Sequence, residues 1–432
     1  MNSMTVPREY KLSTRSAYYI FALLFLLYFF DYVDRTIVTS LAPFIREEWK
    51  LTDTQSGLLM SVVYWSIVAF VFPVSILVDR WSRKKTVGVM ALFWTAATVA
   101  CAFTKTFPQL LAARSMIGIG EAGYAPAGTA MLSGLFPPEK RSRMMGFWNI
   151  SIPLGTAVGI GLGGFIATHW GWRHAFGLVA IPGAIVAILF FFVKDYKTVE
   201  LVKTVGAQSA GKNRVKMSKM DIVREFLSTP SLILTNIGFI GCVFFNNAII
   251  FWMPTYFHRT AGMSISEAGM KTSGIMILAL IGLPLGGWLA DMWFKKRARA
   301  RLLFPAITTA LAAIVLFIAI SLFTGTAQYI TLLGMGVLAS AFAPAAITAT
   351  QETIHAGLRA ISYSLCVVFQ NLLGASMAPI VIGKLSDLYG IQFAMSTLPI
   401  FLVISALVFF TGSFFYEKDL SKVEKVTLEC ED

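Results

Sequence analysis

Five charged residues of this 432-residue chain lie inside runs that otherwise suit lipid. Asp31, Asp34 and Arg35 interrupt "LLYFFDYVDRTIV" (26–38), and Arg114 and Glu121 stand in "RSMIGIGEAGYAP" (114–126). A charge near the bilayer centre costs about 2.5–3.5 kcal/mol on insertion scales. On a helix, positions 31, 34 and 35 are i, i+3 and i+4 and share a face. Positions 114 and 121 are two turns apart and share a face, with Gly118 between them. Burial disfavours a charged carboxylate and a nearby cation restores it, so an arginine that approaches or withdraws can switch a proton off or on. A guanidinium keeps its charge and forms a planar fork for carboxylate, sulfonate or phosphate. Asp34 and Glu121 are therefore assigned to proton coupling, and Arg35 and Arg114 to substrate charge and carboxylate pairing. Asp31 is a second acid, a partner for Arg35, or an interfacial residue. The competing reading is a buried ion-pair network that only holds two helices together.

The elements that must position these residues follow from composition. Hydrophobic residues make up 56% and charged residues 14% of the chain, against about 25% charged in soluble domains. Mean hydropathy is +0.69, as in an integral membrane protein. Helix-spanning apolar segments recur near 17–42, 54–77, 86–104, 107–135, 144–168 and 174–194, then near 231–257, 267–290, 302–323, 328–353, 361–386 and 392–415. The expectation is an all-α membrane protein with twelve transmembrane helices. At about 1.5 Å per residue, span one running outward and span four inward bring Asp34 and Arg35 to the depth of Arg114, with Glu121 two turns deeper.

Polar residues 195–230 read as a linker, with a short amphipathic helix near 218–227. The expected units are a first bundle (1–194), this linker, a second bundle (231–416) and a tail (417–432). The net charge of +13 gathers in the N-terminus, the linker and alternate short loops. That pattern is positive-inside topology and not nucleic-acid binding, with both termini and the linker cytoplasmic. The first apolar run is too long for a signal peptide.

The two halves repeat. "SILVDRWSRKK" (75–85) matches "GWLADMWFKKR" (287–297), and "LTDTQSG" (51–57) matches "MSISEAG" (263–269), both at an offset of 212; "YAP" (124–126) matches "FAP" (342–344). Two six-span halves repeated in parallel form the architecture of a secondary transporter with a central cavity.

On these motifs the chain resembles the major facilitator superfamily over nearly its whole length. That family's loop after span two reads G-x-x-x-D-R-x-G-R-[RK]; here it has Ser75, Asp79, Arg80, Ser82, Arg83 and Lys84. The second copy keeps Gly287, Asp291, Lys295 and Lys296, with Met292 at the arginine position. The resemblance implies that Asp79, Arg80, Arg83, Asp291 and Lys295 latch the halves in one conformation, and that spans one and four line the cavity. "DYVDR" and "RSMIGIGEA" resemble both the anion:cation symporters and the Spinster-like transporters. "GEAGYAP" with "SIPLGTAVGIGLGG" leans toward Spinster, and "GLFPPEKR" is similar to the symporters' F-P-x-x-x-R.

Tyr64, Asn149, Asn246, Asn247, Gln370 and Asn371 form a candidate substrate shell, each with helix–helix hydrogen bonding as the alternative. Trp65, Phe245 and Trp252 offer apolar walls. Gly155, Gly159 and Gly163 make a small-residue stripe for close packing of span five, without the Gly-Pro pair of drug/proton antiporters. Cys101, Cys242, Cys366 and Cys430, and His169, His174, His258 and His355, lack metal spacing. With no nucleophile–base pair or P-loop, neither an enzyme nor an ATP-driven pump is expected.

The expectation is therefore a monomeric bacterial inner-membrane transporter without cofactor, driven by a proton gradient through alternating access and importing an organic anion with protons. The rivals are a Spinster-like carrier of lysolipid or another amphiphile, a drug/proton antiporter, and a membrane receptor that does not transport. A polar lining in the second half favours a small acid, and an apolar slot between helices favours a lipid tail.

Overall fold

The computed structural model describes residues 14–80, 83–136, 138–193, 225–354 and 359–423. The first half contains α1 (Thr14–Trp49), α2 (Asp53–Arg80), α3 (Arg83–Ala102), α4 (Phe107–Glu121), α5 (Tyr124–Leu135), α6 (Pro138–Asn149), α7 (Ser151–Trp170) and α8 (Trp172–Phe191). The second contains α9 (Pro230–Ala261), α10 (Ile265–Phe294), α11 (Ala300–Ser321), α12 (Gly325–Ala341), α13 (Ala343–Glu352), α14 (Arg359–Phe369), a π-turn (Gln370–Ala375), α15 (Met377–Tyr389), α16 (Ile391–Ser396) and α17 (Leu398–Lys422). Eleven helical stretches among the described residues are long and apolar enough to cross a bilayer. The twelfth crossing is α4 plus α5, interrupted at residues 122–123, so neither piece alone reaches spanning length. The final helix runs to Lys422, past the boundary expected at 416, and of the amphipathic segment expected at 218–227 only the helical residues 225–227 are among those described.

Local sequence sets the helix ends. Ser264 opens α10 by accepting the backbone N–H of Glu267 at 3.1 Å, one arm of a capping box. Gly171 and Gly390 (φ +88° and +86°) turn the chain sharply between α7 and α8 and between α15 and α16. Only glycine adopts that backbone without strain. Lipid-facing stripes keep helical spacing, as with Ile181, Ile185 and Ile188 of α8.

Helix α1 is the internal post of the first half, with every residue from Val33 to Ala42 buried. Its close neighbour is α7, as the glycine stripe predicts. A Cβ at Gly155 would sit 2.5 Å from the Phe29 carbonyl oxygen, and one at Gly159 would sit 2.8 Å from that of Val33. Removing these methyls lets two backbones approach and holds residues 31–35 in register.

The halves meet along two seams, α2 with α15 and α7 with α10. The seam of α2 is locked at the end that bears Asp53. Arg259 of α9 grips Asp53 of α2 with both terminal nitrogens (2.6 and 2.7 Å), and Arg46 (2.8 Å) and Ser386 (2.5 Å) add to it. In return Asp387 accepts the backbone N–H groups of Asp53 (2.7 Å) and Thr54 (2.9 Å), capping the N-terminus of α2, where the helix dipole favours a carboxylate. We expect Gly159→Val to overpack the α1–α7 contact and destabilise the protein by about 1–3 kcal/mol. Gly177→Ala, whose Cβ meets nothing within 4 Å, should leave the thermal midpoint in detergent near that of the parent.

Candidate functional site

The charged residues converge at mid-membrane, but not as one symmetric cluster. Arg35 is the hub. Its Nε donates to Glu121 Oε2 at 3.0 Å, and its Nη2 lies 2.8 Å from the same oxygen and 3.0 Å from Asp31 Oδ2. The guanidinium carbon lies 4.6 Å from the Tyr32 ring centre and 5.6 Å from that of Tyr64, within cation–π range. Asp31 is thus placed as a partner of Arg35, one of the three roles open to it from sequence. Asp31, Arg35, Tyr64 and Glu121 are buried, with Arg35 8% and Glu121 4% exposed, and Tyr32 is partly buried.

The second oxygens carry the chemistry. Among the described residues, Asp31 Oδ1, Asp34 Oδ1 and Glu121 Oε1 are buried with no hydrogen-bond donor. Asp34 stands apart from the hub: its Oδ2 meets only the Thr98 hydroxyl of α3, at 3.3 Å. Leaving a buried charge without a partner is costly, and protonation is the usual relief. Two carboxyls sharing one guanidinium, with Asp34 buried beside a lone hydroxyl, form an arrangement that can hold a proton.

Arg114 departs from its expected role as a carboxylate or substrate fork. It is fully buried, and its nitrogens donate to the carbonyls of Leu59 (3.0 Å), Asp34 (3.1 Å) and Arg35 (3.0 Å). It pins α4 to α1 and α2 and holds Arg35 by its backbone. The reason is depth: α4 places the guanidinium beside the α1 main chain, level with residues 34 and 35 as the rise per residue predicts. Gly118 permits this approach, since a Cβ there would meet the Val63 carbonyl and Ser66.

The polar shell divides in the same way. Tyr64 Oη donates to Asn247 Oδ1 at 2.8 Å across the halves, and Asn247 Nδ2 donates to Val243 O at 2.9 Å. Trp65 Nε1 donates to Ser376 Oγ at 2.9 Å, and Trp252 Nε1 to the Pro379 carbonyl at 3.1 Å, so both indoles stitch helices together. Asn149 is exposed and bonds back to Met145 O at 3.0 Å. Gln370 and Asn371 open the π-turn, with Gln370 Nε2 2.8 Å from Cys366 Sγ. Asn246 alone of the six lines an apolar cavity between the halves.

That cavity, about 210 Å³, lies between α7 of the first half and α9, α10 and α12 of the second. Its walls are mostly apolar, including Ile152, Phe245, Ile249, Met276 and Met335, with Asn246, Thr156 and Ser340 as polar points. Ser340 spends its hydroxyl on the Ala279 carbonyl at 2.9 Å.

Of the expected latch, the side chains of Asp79, Arg80 and Arg83 lie outside the described residues. Asp291 pairs within its own half with Arg301 (2.5 Å), which also holds Glu352 (3.0 Å), and Lys295 is exposed. Sequence reasoning missed the Asp53–Arg259–Asp387 lock. The available signal was an aspartate at the first turn of span two; its partners lie over 200 residues away.

Comparison with known proteins agrees with this geometry. The model of the Major Facilitator Superfamily matches residues 24–379. The chain is 29% identical to the hexuronate transporter of Bacillus subtilis, over 73% of this chain and 75% of that protein. It is 26% identical to protein spinster homolog 1 of Xenopus laevis, over 96% and 84% respectively. A solved bacterial homologue of the human lysosomal transporter Spinster, in an inward-facing unoccupied conformation, superposes with a TM-score of 0.83 at 22% identity, covering 94% of this chain and 99% of that one. With twelve helical crossings in two repeated halves and a match across most of its length, the chain belongs to the Major Facilitator Superfamily and is a transmembrane transporter, not an enzyme.

Proposed function

We propose that this transporter couples the movement of an amphiphilic organic anion to protons by alternating access. The observation that carries the reading is the shared guanidinium: Glu121 and Asp31 both lean on Arg35, and each keeps an unpartnered second oxygen. An anionic substrate group competes with these carboxyls for Arg35. A carboxyl that loses Arg35 while buried takes up a proton instead of standing as an unpaired charge. Substrate and proton then bind together, and opening to the other side releases both. Asp34 is a further proton site in this scheme, with a lone hydroxyl partner. The positive charge of the loops supports reading the face that bears the chain ends as cytoplasmic in a bacterial inner membrane, and the Asp53 lock on the opposite face supports an inward-open state.

The apolar cavity favours cargo with an apolar part, as in the Spinster-like reading. The second reading, a small sugar acid moving with protons, draws on the likeness to the hexuronate transporter and on the free Asn246 amide. Uptake into proteoliposomes under an imposed pH gradient, across sugar acids and lysophospholipids, separates the two. Met276→Gln should raise KM for a lysophospholipid about tenfold, a loss of about 1.4 kcal/mol in apolar contact, and leave sugar-acid uptake unchanged. The opposite pattern would favour the small acid.

Two further results are expected. Binding of the transported anion should tighten as pH falls, because protonation of Glu121 frees Arg35. Glu121→Gln should make that affinity insensitive to pH and abolish proton-driven accumulation; intact accumulation in Glu121→Gln would refute the coupling scheme. Arg114→Met should lower thermal stability by several kcal/mol, since it leaves a void and unmet contacts at a fully buried site. Arg35→Met should chiefly remove anion binding.

A further inference from the structure

We propose that the Tyr64–Asn247 hydrogen bond is the link through which the charged hub of the first half sets the position of the second half. This rests on the proton-coupled reading above and assigns the transmission step. Tyr64 touches both sides of the problem. Its hydroxyl reaches Asn247 at 2.8 Å, and its ring lies 5.6 Å from the Arg35 guanidinium. Both partners are 7% exposed, so water does not readily replace the bond if it breaks.

The bond also has a defined polarity. Asn247 Nδ2 is committed to the Val243 carbonyl at 2.9 Å, so the amide offers Tyr64 only its oxygen. Tyr64 must donate. The same turn of α9 carries Val243 and Asn246, which line the apolar cavity. One turn thus borders the cavity on one side and receives the signal from α2 on the other. Arg35 has a choice between Glu121, Asp31 and a substrate anion, and whichever it chooses changes where the cation sits over the Tyr64 ring.

Other cross-half bonds nearby lack this connection. Ser61 Oγ donates to the Ser376 carbonyl at 2.5 Å, one turn before Tyr64, and among the described residues its hydroxyl bonds only to the Gly57 and Ser376 carbonyls. The charged and titratable groups that face Tyr64 are Arg35 and Tyr32 of α1 and, behind Arg35, Glu121 of α4; α9 presents the uncharged Asn247. A response that begins at Arg35 and its carboxyls reaches α9 through Tyr64, whereas Asp53 and Asp387 join the halves separately at the sealed face.

The test needs no substrate. Spin labels at Lys105→Cys and Thr326→Cys, both exposed, one in each half and both on the face sealed by Asp53, report separation of the halves in lipid nanodiscs by pulsed electron–electron resonance. The full-length parent should shift between two distance populations from mildly acidic to mildly alkaline pH. Tyr64→Phe, which keeps the ring and removes the donor, should shrink that pH-driven change in population ratio about fivefold, the factor one hydrogen bond carries. Asn247→Leu should do the same and covers the case in which Tyr64→Phe fails to fold. Ser61→Ala should retain the parental pH response. A full response in Tyr64→Phe and Asn247→Leu overturns the proposal, as does equal loss in Ser61→Ala, which would mean that the bond only holds the seam. A parent without any response refutes the proton reading itself, and the link with it.

Discussion

Everything in this structure is arranged around one guanidinium with too many carboxyl partners. Arg35 holds one oxygen of Glu121 and one of Asp31, and leaves the other oxygen of each buried and unmatched. A network built for stability alone would satisfy those atoms, since a partly satisfied buried network is worse than an apolar core. The unmatched oxygens are tolerable where protons and substrate take turns with Arg35. The same site then reads as a store of alternatives: the ion pair as it stands, or a neutral acid and an arginine free to bind an anion.

The surrounding packing keeps that choice local. Helix α1 is buried at every residue from Val33 to Ala42, held by α7 through bare glycine backbone and by α4 through Arg114. Residues 34 and 35 are therefore positioned by their main chain, and the side chain of Arg35 is the part left to respond. Among the described residues, Asp53 gathers Arg46, Arg259 and Ser386 and Asp387 caps α2, joining the halves at one end. A closely packed first half, a switchable hub and such a seal are parts a rocking carrier needs.

The features legible in the sequence were those with a local signature. Helix spans, the paired halves, the glycine stripe and the level of Arg35 with Arg114 follow from apolar run length, a constant offset, i, i+4 spacing and rise per residue, whereas the Arg35–Glu121 pair spans the two turns that separated them in that reading. Arg114 was placed at the correct depth but given the wrong partners, because backbone carbonyls leave no trace in residue type. The sequence offers both asparagines of α9, Asn246 and Asn247, to the substrate shell. The structure separates them, Asn246 to the cavity and Asn247 to Tyr64, because adjacent helical positions point about 100° apart. The Asp53 lock was invisible because its members come from both halves and meet only when those halves close. The apolar character of the cavity also depends on how four helices from both halves assemble, which no single segment reveals.

The central claim is that a buried carboxyl on Arg35 exchanges a proton. Infrared difference spectroscopy of the protein in lipid, recorded through a pH titration, observes the carboxylic acid C=O stretch directly. The account predicts a titrating carboxylic band that Glu121→Gln removes or halves. A spectrum with no titrating carboxylic band, or one that Glu121→Gln leaves unchanged, would contradict it.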